Sequence, residues 1–163
     1  MMILALKPII NHQNISSKTA FILSTTKGNI TALENTNNSI DKAHLSTLAK
    51  KVADYFGFLT EPIVISNACV SGVLSVAVAK RMIQSGLYDN AFLVAGDEVS
   101  SFVLSGFNSF QAMSDNPCKP FDKDRNGVTL GEAAAAVYIT SDESTISKGA
   151  IKIIGDGAVN DAN

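Results

Sequence analysis

The sequence predicts an α/β domain with a mostly parallel sheet and helices on both faces. Runs of apolar and β-branched residues at 19–25, 63–65 and 91–96 are typical of strands. Between them, apolar residues recur at helical spacing over residues 41–58 and 70–85. Because strands and helices alternate along the chain, we expect parallel strands joined by crossover helices.

Three of these elements are predicted to be buried. The runs 63–65 and 91–96 contain only apolar residues and glycine, the pattern of strands that are covered on both faces. The helix at 70–85 is apolar nearly all the way round over its first turns, which predicts a central position rather than a surface one. Gly86 suits the end of this helix, since glycine readily adopts the left-handed conformation of a C-cap.

The last third of the chain predicts a long connection and two more strands. Residues 98–128 are rich in Ser, Phe, Asn and Asp, and connections of this length are usually functional or partly structured. Strands are expected at 133–140 and 151–157, and the polar stretch 141–149 between them is interpreted as a hairpin connection.

Composition excludes several classes of protein. The length of 163 residues fits one domain, and 46% hydrophobic with 17% charged residues exclude a disordered chain. A net charge of −2 gives no footprint for nucleic acid. Two cysteines are too few for a disulfide scaffold, and no apolar run approaches the roughly 20 residues of a membrane span. The start of the chain lacks the basic region of a signal peptide, so we expect a cytoplasmic domain.

Cys69 is the main candidate for a reactive residue. It lies where a predicted buried strand turns into a predicted buried helix. Unpaired amides and the positive end of the helix dipole favour a thiolate there over a thiol. Such a thiolate is a nucleophile, and the N–H of Cys69 could form half of an oxyanion hole. Free cysteine is also a common small core residue, so the pattern alone leaves both interpretations open.

The other reactive side chains do not predict a site. Residues 122–127 match a calcium loop at positions 1, 3, 5 and 6, yet position 12 is Ala133 rather than the glutamate that an EF-hand requires. His12 and His44 stand apart without a motif, and Cys118 lies in a loop between two prolines. We therefore predict no metal site and no cofactor.

Two segments resemble the signatures of a known family. Ser-Asn-Ala-Cys-Val-Ser-Gly at 66–72 resembles the nucleophile motif of the β-ketoacyl-acyl-carrier-protein synthases, the condensing enzymes of the thiolase-like fold. Residues 118–134 resemble their second signature, an aromatic-Asp-x-x-Arg-x-Gly stretch that leads into Leu-Gly-Glu-x-Ala. Ala-Gly-Asp-Glu at 95–98 and Ser-Gly-Phe at 105–107 lie between the two. The second signature is that of elongating synthases of fatty-acid or polyketide pathways.

This resemblance implies a layered thiolase-like α/β/α fold, of which about one of the two halves is present. It implies a domain over residues 19–163, preceded by a poorly defined segment at 1–18. By the same resemblance, Cys69 takes the acyl chain from its carrier-protein thioester. Malonyl-carrier protein then loses carbon dioxide, and the resulting carbanion lengthens the chain by two carbons.

The resemblance also assigns partners and a pocket. Phe107 would line the acyl pocket, and the strand at 91–96 would pair across the interface of a homodimer or of a ketosynthase-type heterodimer. The substrates would be acyl and malonyl thioesters of an acyl-carrier protein. Gln111 stands where some relatives carry an arginine that helps to dock this carrier.

The chain departs from the family in length and in its histidines. Relatives are more than twice as long and carry two catalytic histidines in their second half, which His12 and His44 do not match. Three interpretations remain: part of an elongating ketosynthase, a truncated homologue that only binds an acyl group or a partner, and a non-catalytic chain-length subunit. Cys69 argues against the third, because such subunits typically replace the nucleophile.

Overall fold

One sheet with helices on both faces forms the body of the domain. A computed structural model describes residues 1–10, 14–34 and 39–159. The strands in this part of the chain are β1 Thr19–Ser24, β2 Ile63–Ile65, β3 Asn90–Asp97 and β4 Ala133–Thr140. The α-helices are α1 Met2–Ile10, α2 Leu45–Phe56, α3 Ser71–Gln84 and α4 Ser101–Ser109.

The sheet is mostly parallel, as predicted. Its strand order is β2-β1-β3-β4, in which β1 runs parallel to both of its neighbours and β4 runs antiparallel to β3. Because β3 has a hydrogen-bonded neighbour on each side, it offers no free edge to a second copy. The expectation that the strand at 91–96 pairs across a dimer interface is therefore wrong, and the edges of this sheet are β2 and β4.

Alternate residues of the strands form two cores. Phe21, Leu23, Phe92 and Val94 face α1 and α2, where Leu6 is fully buried among them. On the other face, Ala20, Ile22, Ala91 and Leu93 pack with Ala79 of α3. This period of two along each strand produces the three layers of an α/β/α domain, as the sequence predicts.

Helix α1 lies in a segment for which the sequence indicates no element. It packs against β3 and β4 through Leu6 and carries Pro8 in its interior. Proline in a helix interior removes a backbone donor, which explains why the sequence pattern did not indicate a helix there. The domain limits expected at 19–163 stay a prediction.

The outer face of α3 is not covered. Ser75 and Ala79 are buried against the sheet, whereas Val73 is 77% exposed. The predicted central position of this helix therefore holds for its sheet-facing side only. No helix in the described ranges is long and apolar enough to cross a membrane.

The prediction of a strand at 151–157 is wrong. This segment pairs with no strand in the described part of the chain, and Ile151 and Ile154 are 92% and 91% exposed. The hairpin expected over 141–149 is therefore wrong as well, and a short 3-10 helix, Glu143–Thr145, lies there instead. An apolar, β-branched run forms a strand only where a neighbouring edge accepts it. Here Asp156 contacts Lys80 of α3, and the run does not pair with β4.

Asp156 attaches this segment to α3. Its carboxylate accepts hydrogen bonds from Lys80 Nζ at 2.8 Å and from Arg81 Nε at 2.9 Å, and it also contacts Arg81 Nη2. The hydrogen bonds from Lys80 and then Arg81 hold the pKa of Asp156 below its ordinary value of 3.8. A lowered carboxyl pKa stabilises the attached conformation above that ordinary value, and the contribution is lost as the pH falls through the folded-state value.

We therefore expect Asp156→Asn to free the C-terminal segment at pH 7, because the amide keeps the size of the side chain and removes its charge. Trypsin should cleave after Lys152 faster in the variant than in the wild type, and added salt should reduce the difference. Asp142→Asn is the matched control, since the Asp142 carboxylate accepts its hydrogen bonds from Ser144 in its own turn. Equal cleavage rates in Asp156→Asn and the wild type would show that these ion pairs do not hold the segment.

Candidate functional site

Cys69 lies in the turn between β2 and α3, and it is exposed. The turn connects the carboxyl end of a parallel strand to the first residue of α3, Ser71, with Val70 as the N-cap. In open α/β sheets, ligands bind at the carboxyl ends of the strands, close to the unpaired amides of helix N-termini. The structure thus places Cys69 at the strand-to-helix junction that the sequence indicates.

The Ser71 side chain fixes this turn. Its hydroxyl accepts a hydrogen bond from the N–H of Asn67 at 2.8 Å and donates one to the carbonyl oxygen of Ala68 at 2.6 Å. Ala68 has a φ of 44°, a left-handed conformation that costs a residue with a Cβ about 1–2 kcal/mol. The two hydrogen bonds of Ser71, which is 4% exposed, hold this strained residue directly before Cys69.

We expect Ser71→Ala to lower the free energy of unfolding by about 1–3 kcal/mol, because the Asn67 amide loses its partner in a partly buried turn. The rate at which iodoacetamide alkylates Cys69 should change with it, and Ser71→Thr, which keeps the hydroxyl, should restore both. Chemical denaturation and the alkylation rate test these effects.

Ser85→Ala is the control for this prediction. The exposed hydroxyl of Ser85 donates to the carbonyl oxygen of Met82 at 2.9 Å, so its loss should change stability by no more than about 0.5 kcal/mol. If Ser71→Ala matched Ser85→Ala in stability and in the alkylation of Cys69, Ser71 would not be what holds the turn.

A cavity of about 290 Å³ opens beside Cys69. The end of β1, the Cys69 turn with the start of α3, the end of β3 and the start of β4 each contribute to its wall. Its lining residues are Ser24, Thr25, Thr26, Ala68, Cys69, Ser71, Gly72, Ala95, Gly96, Asp97, Ala133 and Ala135. Small side chains therefore leave room for a ligand directly beside the thiol.

Asp97 fixes one wall of this cavity. Its carboxylate accepts hydrogen bonds from Thr25 Oγ1 at 2.7 Å, from the N–H of Thr26 at 2.9 Å and from the N–H of Lys27 at 3.3 Å. Thr25 Oγ1 in turn accepts from the N–H of Gly28 at 2.9 Å. The end of β3 thus holds the loop that follows β1, a role that the sequence motif at 95–98 did not reveal.

Glu98, from the stretch 95–98, and Glu132, from the second signature, also have structural partners. Glu98 accepts hydrogen bonds from the N–H of Thr31 at 3.2 Å and from its hydroxyl at 2.7 Å. Glu132 accepts from the N–H of Val99 at 3.3 Å. At Gly96 an added Cβ would lie 3.1 Å from the Ala133 carbonyl oxygen, so glycine permits the close approach of β3 and β4.

The structure does not bring the other candidate residues to this cavity. Phe107 lies half-buried in α4 and is not among the lining residues, and neither is Cys118, whose N–H donates to Thr129 Oγ1 at 2.9 Å. His44 lies before α2, 3.8 Å from Asp41. His12 lies outside the described residues. Within the described ranges no group of three or more His, Cys, Asp or Glu residues is placed to hold a metal ion.

The fold is that of the ketosynthases. A beta-ketoacyl synthase from Burkholderia phymatum superposes with a TM-score of 0.66 at 24% identity, over 78% of this chain and 36% of that one. A ketosynthase from Xenorhabdus doucetiae, solved in complex with its chain length factor, gives a TM-score of 0.64 at 24% identity, over 83% of this chain and 38% of that one. At this identity the similarity establishes the fold alone.

Sequence comparison then gives the family. Residues 11–144 match the N-terminal domain of the beta-ketoacyl synthases, and the chain belongs to this family. The resemblance inferred from the two signatures is thereby confirmed.

Curated relatives carry a more specific name. The 3-oxoacyl-[acyl-carrier-protein] synthase 2 of Staphylococcus aureus is 33% identical over 106 residues, which are 59% of this chain and 26% of that protein. The protein of the same name from Synechocystis sp. is 37% identical over 98 residues, 55% of this chain and 23% of that protein. The chain thus spans about a quarter of the length of these relatives.

Proposed function

We propose that the protein acts as an elongating 3-oxoacyl-[acyl-carrier-protein] synthase and that Cys69 accepts the acyl chain. The observation that supports this role is the exposed thiol at a strand-to-helix turn beside a cavity lined by small residues. Family membership and the names of the curated relatives support the reaction class.

Acyl transfer is the first step of the proposed reaction. The Cys69 thiolate attacks the carbonyl carbon of the acyl thioester, and a tetrahedral intermediate forms. The carbon–sulfur bond to the carrier then breaks, the carrier thiolate leaves and takes up a proton, and the acyl group stays on Cys69. The N–H of Cys69 is the proposed donor to the oxyanion of this intermediate.

Condensation is the second step. The malonyl thioester loses carbon dioxide, and the carbanion that remains attacks the carbonyl carbon of the acyl group on Cys69. A carbon–carbon bond forms, and Cys69 leaves as a thiolate. The product is a 3-oxoacyl thioester that is two carbons longer than the original acyl chain.

The partners follow from the same proposal. Acyl and malonyl thioesters of a carrier protein are the substrates, in line with the name of the Staphylococcus aureus relative. A homodimer or a ketosynthase-type heterodimer is the proposed assembly, in line with the ketosynthase and chain length factor of Xenorhabdus doucetiae. The place of Phe107 in an acyl pocket and the cytoplasmic location of the protein stay predictions.

A second candidate function is an acyl-binding or partner-binding homologue that does not condense. The observation in its favour is that no histidine is among the lining residues of the described cavity. The lining residues include the thiol that acyl transfer requires, but no imidazole among them could assist the loss of carbon dioxide.

One reaction separates the two candidates. The protein is incubated with octanoyl-carrier protein and malonyl-carrier protein, and the masses of the protein and of the carrier proteins are then measured by mass spectrometry. A 3-oxodecanoyl product supports the synthase, whereas octanoyl-Cys69 without an extended product supports the acyl-binding homologue. If neither forms on the folded protein, the synthase and the acyl-binding homologue are both wrong, and only the partner-binding homologue is left.

A further inference from the structure

A second cavity, the α1/α2 cavity, lies on the face of the sheet opposite to α3. Its volume is about 220 Å³, and its wall is formed by the start of α1, by α2, by the loop after β1 and by the end of β3. Phe92 and Val94 of β3 face α1 and α2, and Gly96, which lines this cavity, continues the same alternate row. Gly96 and Asp97 also line the Cys69 cavity, so the end of β3 is a wall of both.

Apolar side chains give the α1/α2 cavity room and affinity for an aliphatic chain. An apolar cavity of about 150 Å³ is large enough for benzene, so this one has room for a chain of about six carbon atoms. Methionine side chains are flexible and adapt to the shape of a ligand. The apolar lining residues are Met1, Met2, Ile3, Leu48 and Val52.

The carboxylates of Asp97 and Glu98 give the same wall its charge. Glu98 Oε1 accepts hydrogen bonds from the N–H of Thr31 at 3.2 Å and from its hydroxyl at 2.7 Å, whereas Oε2 accepts none from the described residues. In the described part of the chain neither carboxylate forms an ion pair, and this includes pairs with the amino group of Met1. The cavity thus combines an apolar wall with negative charge that has no cationic partner among these residues.

We propose that the α1/α2 cavity binds a free aliphatic amine in its ammonium form, with the chain against the apolar side chains and the ammonium group at Glu98. An ammonium group only donates hydrogen bonds and a carboxylate only accepts them, and such charge-assisted bonds are about twice as strong as neutral ones. Each methylene group that leaves water strengthens binding by about fourfold. A fatty acid would instead bring a third carboxylate to the wall. This site goes beyond the proposed function and does not depend on it.

The test compares three small ligands at pH 7 by NMR titration of the full chain. Hexylammonium has both the chain and the charge, ethylammonium has the charge on a chain that is four carbons shorter, and hexanoate has the opposite charge. We expect hexylammonium to bind at least about tenfold more tightly than either of the others. The amide shifts should be largest at Ile3, Gly28 and Glu98, which line the cavity.

Glu98→Gln tests the charge. The amide keeps the size of the side chain and one oxygen that accepts from Thr31, so the variant should fold and should bind hexylammonium at least about fivefold more weakly. Glu132→Gln is the matched control, since Glu132 accepts from the N–H of Val99 and does not line the α1/α2 cavity. Its affinity for hexylammonium should stay within about twofold of the wild type.

Leu48→Phe tests the apolar part of the wall. The larger ring takes up space in the cavity, so we expect it to weaken hexylammonium binding by at least about fivefold. Leu4→Phe is the control, because Leu4 is 70% exposed on α1 and does not line the cavity. Protein that has been alkylated at Cys69 should bind hexylammonium as tightly as untreated protein, since Cys69 does not line this cavity either.

Four outcomes would overturn the inference. Equal affinities for hexylammonium and hexanoate would show that the cavity does not select for positive charge. Equal affinities for hexylammonium and ethylammonium would show adventitious binding to surface carboxylates only. If alkylation of Cys69 blocked the amine, the ligand would lie in the other cavity. A folded protein whose Ile3, Gly28 and Glu98 amides did not shift with hexylammonium would have no amine site here. None of these results bears on acyl transfer to Cys69.

Discussion

Cys69→Ala is expected to abolish transfer of the acyl group from carrier protein, by at least about a thousandfold. Without the thiolate no covalent intermediate can form, and the remaining groups at the cavity can only bind the substrate. The measurement is the rate at which acyl-carrier protein is converted to free carrier protein, followed by mass or by gel mobility. Because Cys69 is exposed, its replacement by alanine should leave the fold intact.

Cys118→Ala is the control that makes this result specific. Cys118 is half-buried in the loop after α4 and is not among the residues that line the cavity, so its loss should change the rate by less than about twofold. A protein that kept acyl transfer without Cys69 and lost it without Cys118 would require a different active site.

Asp97→Ala is expected to lower the free energy of unfolding by about 3 kcal/mol, the largest stability effect that we predict. The substitution leaves the buried Thr25 hydroxyl and the amides of Thr26 and Lys27 without their acceptor, and hydrogen bonds to a charged group are each worth about 1.5–3 kcal/mol. Asp97→Asn should lose less, because its amide still has one oxygen that accepts. In a domain of this size the loss corresponds to a decrease in Tm of about 6–12 °C.

Asp97→Ala should also slow acyl transfer, because the loop that Asp97 holds lines the cavity beside Cys69. Asp54→Ala serves as the control, since Asp54 makes only an exposed ion pair with Lys50 at 3.5 Å. If Asp97→Ala melted within about 1 °C of Asp54→Ala, the hydrogen bonds around Asp97 would not stabilise this wall.

Much of the fold could be predicted from local patterns. The strands at 19–25, 91–96 and 133–140 and the helix at 70–85 agree with the structure to within one or two residues at each end. Each of these elements has a continuous apolar run, and Gly86 after the helix has the left-handed φ of 74° that a glycine C-cap provides.

The errors arise where tertiary contacts decide the structure. Residues 151–157 have the composition of a strand, but they pair with no strand among the described residues, and Asp156 forms ion pairs with Lys80 and Arg81 of α3 instead. Helix α1 forms despite Pro8 because Leu6 is buried against the sheet. In both cases a contact between residues that are distant in sequence outweighs local propensity.

At the candidate site, too, local sequence patterns could be predicted and long-range contacts could not. Cys69 could be found because a strand, a reactive side chain and a helix follow one another within a few residues. The role of Asp97 could not, because its carboxylate accepts hydrogen bonds from residues about 70 positions away.

The mass of the protein after incubation with acyl-carrier protein shows whether Cys69 accepts the acyl group. Tryptic digestion places the two cysteines in different peptides, 52–80 for Cys69 and 82–123 for Cys118. We expect one acyl group per chain, in the peptide 52–80. A folded chain that stays unmodified, or an acyl group found only in the peptide 82–123, would contradict it.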